Sequence, residues 1–110
     1  MPYNHHLSDH IQKLLSSHEH VEAKEMFGGI AFMVNGHMAI GVVQDELMVR
    51  VGKDMHDDAL KKTGARIMDF THKPMKGFIF VNADGYTNDG DLRSWVDMAL
   101  SFNRTLKPKA

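Results

Sequence analysis

A chain of 110 residues has room for one hydrophobic core, and 43% apolar with 25% charged residues is the composition of a folded globular domain. A formal net charge of −1 argues against a protein that grips duplex DNA by neutralising many phosphates. The absence of cysteine excludes a disulfide framework, thiol catalysis and Cys-ligated metal centres, and fits a reducing, cytoplasmic setting.

Residues 1–6 read as a loose start, polar and His-rich, with no apolar stretch of the kind a signal peptide carries. No apolar run approaches the ~20 residues of a membrane span. A first helix follows, capped by Asn4 or Ser8. Leu7, Ile11, Leu14 and Leu15 share one face, and the pattern stops near Ser17.

The next stretch has strand periodicity. Val21 to Val34 reads as one long strand, with Gly28-Gly29 as a bulge within it. Asn35-Gly36 is a strong hairpin signal, because both residues tolerate the positive φ of a type I′ turn. Met38, Ile40 and Val42 alternate after it. Gln44-Asp45-Glu46 turns the chain again, and Leu47, Val49 and Val51 mark the next strand.

A short helix is predicted near 55–63, with Met55, Ala59 and Leu60 inward and Gly64 as its C-cap. Strands near 66–70 and 77–82 flank a link that contains Pro74, a residue unable to donate to a ladder. Asp84-Gly85 and Asp89-Gly90 signal turns. Asp91 then caps a last helix with the apolar stripe Leu92, Trp95, Val96, Ala99 and Leu100, which Phe102 extends. The order α-β(3)-α-β(2)-α predicts an α+β fold, one antiparallel sheet with helices packed on it in two layers. A single domain over 1–110 is expected, with its core at about 7–103 and flexible ends.

Several strings, in order, carry a family resemblance: Met26-Phe27-Gly28-Gly29; Phe32 with Asn35-Gly36-His37-Met38; Leu47-Met48-Val49-Arg50-Val51-Gly52; Phe70 and Pro74-Met75-Lys76-Gly77-Phe78; then Leu92, Trp95 and Ala99-Leu100. Over about residues 10–103 the chain resembles the N-terminal domain of the TfoX/Sxy competence regulators. The resemblance implies an α-β(3)-α-β(2)-α, secretion-chaperone-like fold and a link to regulation of competence genes, where the longer members are transcriptional coactivators. The second, helical domain of those regulators has no counterpart in this sequence. The chain is expected to be the N-terminal domain alone, and no biochemical activity transfers residue by residue.

The residues that bear chemistry do not assemble into a catalytic motif. The eight histidines include His6 with His10 and His18 with His20, but the pairs sit at opposite ends of one short helix. A zinc site needs three or four converging ligands, so these read as surface histidines. The nine methionines suit Cu(I) in principle, yet most fall in strand or helix periodicity, where they fill a core or an interface. Ser8, Ser16, Ser17, Ser94 and Ser101 lie on no nucleophile elbow. Asp84, Asp89 and Asp91 fail the calcium-loop pattern and fit turn and cap chemistry. No catalytic residue, metal site or cofactor is expected.

Two surfaces remain as candidates. Arg50, in an apolar strand, and Lys76, beside Gly77, form a small anion or partner spot if they converge. Met33, Val43 and Met48 lie off the main apolar stripe of the meander, with Ala31 and Ala39, and suggest a partner or dimer face. The expectation is therefore a non-enzymatic regulatory domain acting through a protein partner or a homodimer. A nucleic-acid-associated regulator, drawing on the basic tail of Arg104, Lys107 and Lys109, is one alternative. A small-molecule or metal-binding protein is another.

Overall fold

The computed structural model describes residues 3–16, 20–26, 28–70 and 73–107, and side chains at all of these except 26, 68–70 and 73–76. In chain order the elements are α1 (His5–Leu15), β1 (Val21–Met26), β2 (Gly29–Val34), β3 (His37–Val43), β4 (Glu46–Arg50), α2 (His56–Leu60), β5 (Ala65–Phe70), β6 (Lys73–Val81), a 3-10 turn (Ala83–Gly85) and α3 (Asp89–Asn103). The strands form one antiparallel sheet in the order β1-β2-β3-β4-β6-β5. The α+β, two-layer expectation holds, with one more strand than the sequence pattern suggested.

The extra strand comes from Gly28. Met26 pairs with Gly29 and Val21 with Val34, so the segment read as one bulged strand is a hairpin. Gly28 has φ +74°, a left-handed conformation that costs a side-chain-bearing residue roughly 1–2 kcal/mol. The true bulge lies further on, where the β2–β3 register shifts between Phe32 and Met33. The Asn35-Gly36 turn forms as expected, with φ +54° and +85°.

Residues 3–6, part of the start expected to be loose, are held in the fold. Tyr3 is buried and bridges to Gln44, its hydroxyl donates to Glu25 Oε1 at 3.1 Å, and the Asn4 N–H donates to the Gln44 carbonyl at 2.7 Å. Asn4 is also the cap of α1, its Oδ1 accepting from the Leu7 N–H at 3.0 Å. Ser17, the expected end of that helix, lies outside the described residues.

Leu7, Ile11 and Leu15 from α1 join Leu92, Trp95, Val96, Ala99 and Leu100 from α3 over Phe32, Ile40, Val42, Leu47, Val49, Ile79 and Val81 of the sheet. Each of the Val, Leu, Ile and Phe side chains among them contributes roughly 1.5–3 kcal/mol when fully buried. The Trp95 indole N–H is satisfied by the Gly85 carbonyl at 3.0 Å, and Asn103 Nδ2 donates to the Val34 carbonyl at 3.0 Å, fixing the middle and the C-terminal end of α3.

Three local readings change. Asn88, and not Asp91, caps α3, with Oδ1 accepting from the Asp91 N–H at 2.9 Å. The second helix is shorter than predicted, and Met55 precedes it with 41% of its surface exposed. Pro74 sits inside β6, paired with Asp69, beyond the last β4–β6 pair at Arg50 and Phe78. That overhang leaves one side of β6 without a ladder, which is where a strand tolerates proline.

Candidate functional site

Alternation along β4 sends Leu47, Val49 and Val51 into the helix-covered core and Met48 and Arg50 to the other face. A second apolar cluster forms there. Met48 and Phe80 are buried at its centre, and Met38, Val43 and Phe78 pack half-buried around them. Met33 pairs with Met38 and is also half-buried. Of the face predicted from sequence, Met33 and Val43 thus present surface, while Met48, with 0% exposure, is its floor. Ala31 is buried on the same row, and Ala39, at the β2–β3 irregularity, joins the helix-side core.

Two arginines border this cluster in different ways. Arg66 makes a bidentate pair with Glu46, Nε to Oε2 at 2.9 Å and Nη2 to Oε1 at 2.7 Å, and lies 4.6 Å from the centre of the Phe80 ring. Arg50 has, among the described residues, no carboxylate partner and no side-chain hydrogen bond. Its guanidinium carbon lies 5.3 Å from the ring centre of Phe78 and 5.3 Å from that of Phe102. Both rings attract the cation, and neither consumes its in-plane N–H donors. Phe102 was not singled out from sequence as a partner of Arg50. It reaches Arg50 from the end of α3, a contact that only tertiary folding creates.

The position of Phe102 is set by Gly52. A Cβ on Gly52 would lie 2.3 Å from Phe102 Cδ1, and the residue has φ +85°. Beside this contact a groove of about 760 Å³ runs between the 51–55 loop and α3, with Val51, Met55, Met98 and Phe102 on its walls and Lys53 and Asp97 at its rim. The Lys76 side chain lies outside the described residues. Its neighbour Gly77 is an anchor: the Gly77 carbonyl accepts from Val51 at 2.8 Å and Gly52 at 3.1 Å, and its N–H donates to His56 Nδ1 at 2.9 Å.

The histidines are scattered. His56 is buried as a structural acceptor, His10 Nε2 lies 3.4 Å from Asp89 Oδ1, and His37 Nε2 sits 2.7 Å from the Lys107 carbonyl. His6 is exposed, His5 stacks on Tyr3, and His18 and His72 lie outside the described residues. Among the described residues no three His, Asp or Glu side chains come together as a metal site. Asp84 lies in the 3-10 turn and Asp91 in the first turn of α3, with Thr87 Oγ1 donating to Asp91 Oδ2 at 3.2 Å. No helix among the described residues is long and apolar enough to cross a membrane.

The model of the TfoX N-terminal domain family matches residues 13–103, which is most of the chain and includes every strand of the sheet. The chain belongs to the TfoX N-terminal domain family. No curated protein and no solved structure matches it. For this TfoX N-terminal domain, the match spans both the apolar second face and the Arg50–Phe78–Phe102 contact.

Proposed function

We propose that this TfoX N-terminal domain is a non-catalytic association module that receives a protein partner on the sheet face opposite its helices. Regulation of transcription or competence is the setting the family membership favours. The observation that carries the reading is the second apolar cluster: Met33, Met38, Val43 and Phe78 present partly exposed apolar surface over a buried floor of Met48 and Phe80. An apolar patch rimmed by charge is the usual form of a protein-binding surface. Arg50 stands at its border, and among the described residues none takes a hydrogen bond from its guanidinium. An arginine held by aromatic rings is a frequent interface anchor, because little side-chain entropy remains to be lost on binding.

The test is capture from native lysate, with and without nuclease, by the wild type, by Met33→Glu and Val43→Glu, and by Lys62→Glu as an exposed control. The expected result is a specific protein that survives nuclease, is lost with the two face variants and is kept by the control. Equal capture by all variants would refute the face. Partners lost on nuclease treatment would favour a nucleic-acid role, against which the net charge of −1 argues.

The Arg50 contact also supports a narrower reading, an anion spot at the Arg50 guanidinium that takes a carboxylate or phosphate, with Lys76 as the second cation expected from the sequence. Its check is thermal stabilisation of the wild type by small carboxylates and inorganic phosphate, lost in Arg50→Met.

A further inference from the structure

We infer that the groove between the 51–55 loop and α3 is a docking site for a basic amphipathic helix of a partner protein. The first basis is a second face on α3. Leu92, Trp95, Val96, Ala99 and Leu100 turn into the core. On the groove side, Ser94, Asp97, Met98, Ser101, Phe102 and Thr105 form their own stripe. Counted from Ser94 these are positions i, i+3, i+4, i+7, i+8 and i+11, the spacing with which one helix faces another. The stripe runs for about 16 Å at 1.5 Å per residue, three turns of helix. Met98 and Phe102 are half-buried within it, and Ser94, Ser101 and Thr105 beside them are short and exposed. Short side chains next to large ones make the groove into which a partner helix sets its own ridge.

The opposite wall supplies Val51 and Met55. Met55 is 41% exposed, one of two large apolar side chains left in water among the described residues. With Met98 across from it, the groove has a thioether on each wall. Methionine is unbranched and polarisable, and such walls adapt to apolar side chains of differing shape.

The charges of the groove select its occupant. Its charged lining residues are Lys53 and Asp54 on the loop and Asp97 on α3. All three are exposed, and none has an ion-pair partner among the described residues. Two carboxylates stand against one ammonium, and a carboxylate lies on each lip. That arrangement complements cationic side chains on both flanks of an apolar stripe. An amphipathic helix has this form: it lays its apolar face into an open groove and keeps its charged flanks at the rim. Lysine or arginine on the flanks would then meet Asp54 on one side and Asp97 on the other.

The groove shares no residue with the apolar cluster on the sheet face, so the two surfaces are tested separately. The probes are two dye-labelled synthetic peptides of about 15 residues, long enough for three turns with frayed ends. Both carry leucine at i, i+3, i+4 and i+7 spacing, one with lysine and the other with glutamate on the flanks. Each is titrated with the full chain and followed by fluorescence anisotropy. The lysine peptide is expected to bind, and the glutamate peptide to bind at least roughly tenfold more weakly. Asp97→Lys, at an exposed position, should weaken the lysine peptide by about tenfold. Met98→Lys should abolish its binding, while Met33→Glu on the sheet face leaves it unchanged. Far-UV spectra check that each variant is folded. Should Met98→Lys unfold the chain, Ser101→Arg fills the groove from an exposed helix position and takes its place. Binding of neither peptide, equal binding of both, indifference to positions 97 and 98, or loss of binding in Met33→Glu would overturn the inference.

Discussion

Replacing His56 should uncouple the end of β4 from α2, and the size of the effect follows from a few contacts. His56 is 7% exposed, and its Nδ1 accepts the Gly77 N–H at 2.9 Å. The same Gly77 residue receives the Val51 and Gly52 N–H groups on its carbonyl. Substituting leucine keeps apolar volume but removes the acceptor, leaving the N–H of a buried glycine without a partner. That costs about 1–3 kcal/mol, or a melting point lower by roughly 5–15 °C in a domain of this size. Asparagine places Oδ1 where Nδ1 was, so His56→Asn should recover about half of the loss or more. The assay is urea unfolding followed by the fluorescence of Trp95, the sole tryptophan, which is 3% exposed and reports on the core. A leucine variant as stable as the wild type, or an asparagine variant no better than leucine, would refute the assignment of His56 as a structural acceptor.

Gly52→Ala must place a methyl group against the Phe102 ring while holding φ near +85°. A loss of about 2 kcal/mol in the same urea experiment is expected, together with weaker partner capture because the ring that flanks Arg50 is displaced. At alkaline pH, burial raises the phenol of Tyr86 above its usual 10.0, with the Asp45 and Glu46 charges adding to it. Burial and the hydrogen bond to Glu25 act in the same direction on Tyr3. The folded state therefore holds these protons more tightly than the unfolded one, so stability is fully present below pH 10.0 and falls as pH rises through the raised values. Tyr86→Phe should flatten that decline in thermal melts recorded between neutral and alkaline pH, and an unchanged slope would count against the burial of this phenol.

Much of the architecture was legible from local chemistry. Asn35-Gly36 specified its turn because both residues accept positive φ, and the spacing of Leu7, Ile11 and Leu15 marked the buried face of α1 because helical period alone puts them together. The ordered family strings pointed to the family that the matching model identifies. Gly28 misled for a physical reason. Glycine within an apolar run serves equally as a bulge or as a reversal, and only the pairing of Val21 with Val34 distinguishes them.

What the sequence by itself determined is the set of periodic elements, the apolar face of each helix and strand, and the absence of thiol chemistry. These depend on residues a few positions apart, whose relation the backbone geometry dictates. Only the tertiary structure decided what depends on distant residues meeting. Phe102 closes on Arg50 across 52 positions of chain, and Gly77 takes the His56 ring 21 positions away. It also left Met48 buried and Ile67 half in water, although both sit in alternating apolar strands. Burial is set by what packs over a position, and at the centre and edge of a sheet the same pattern meets different neighbours.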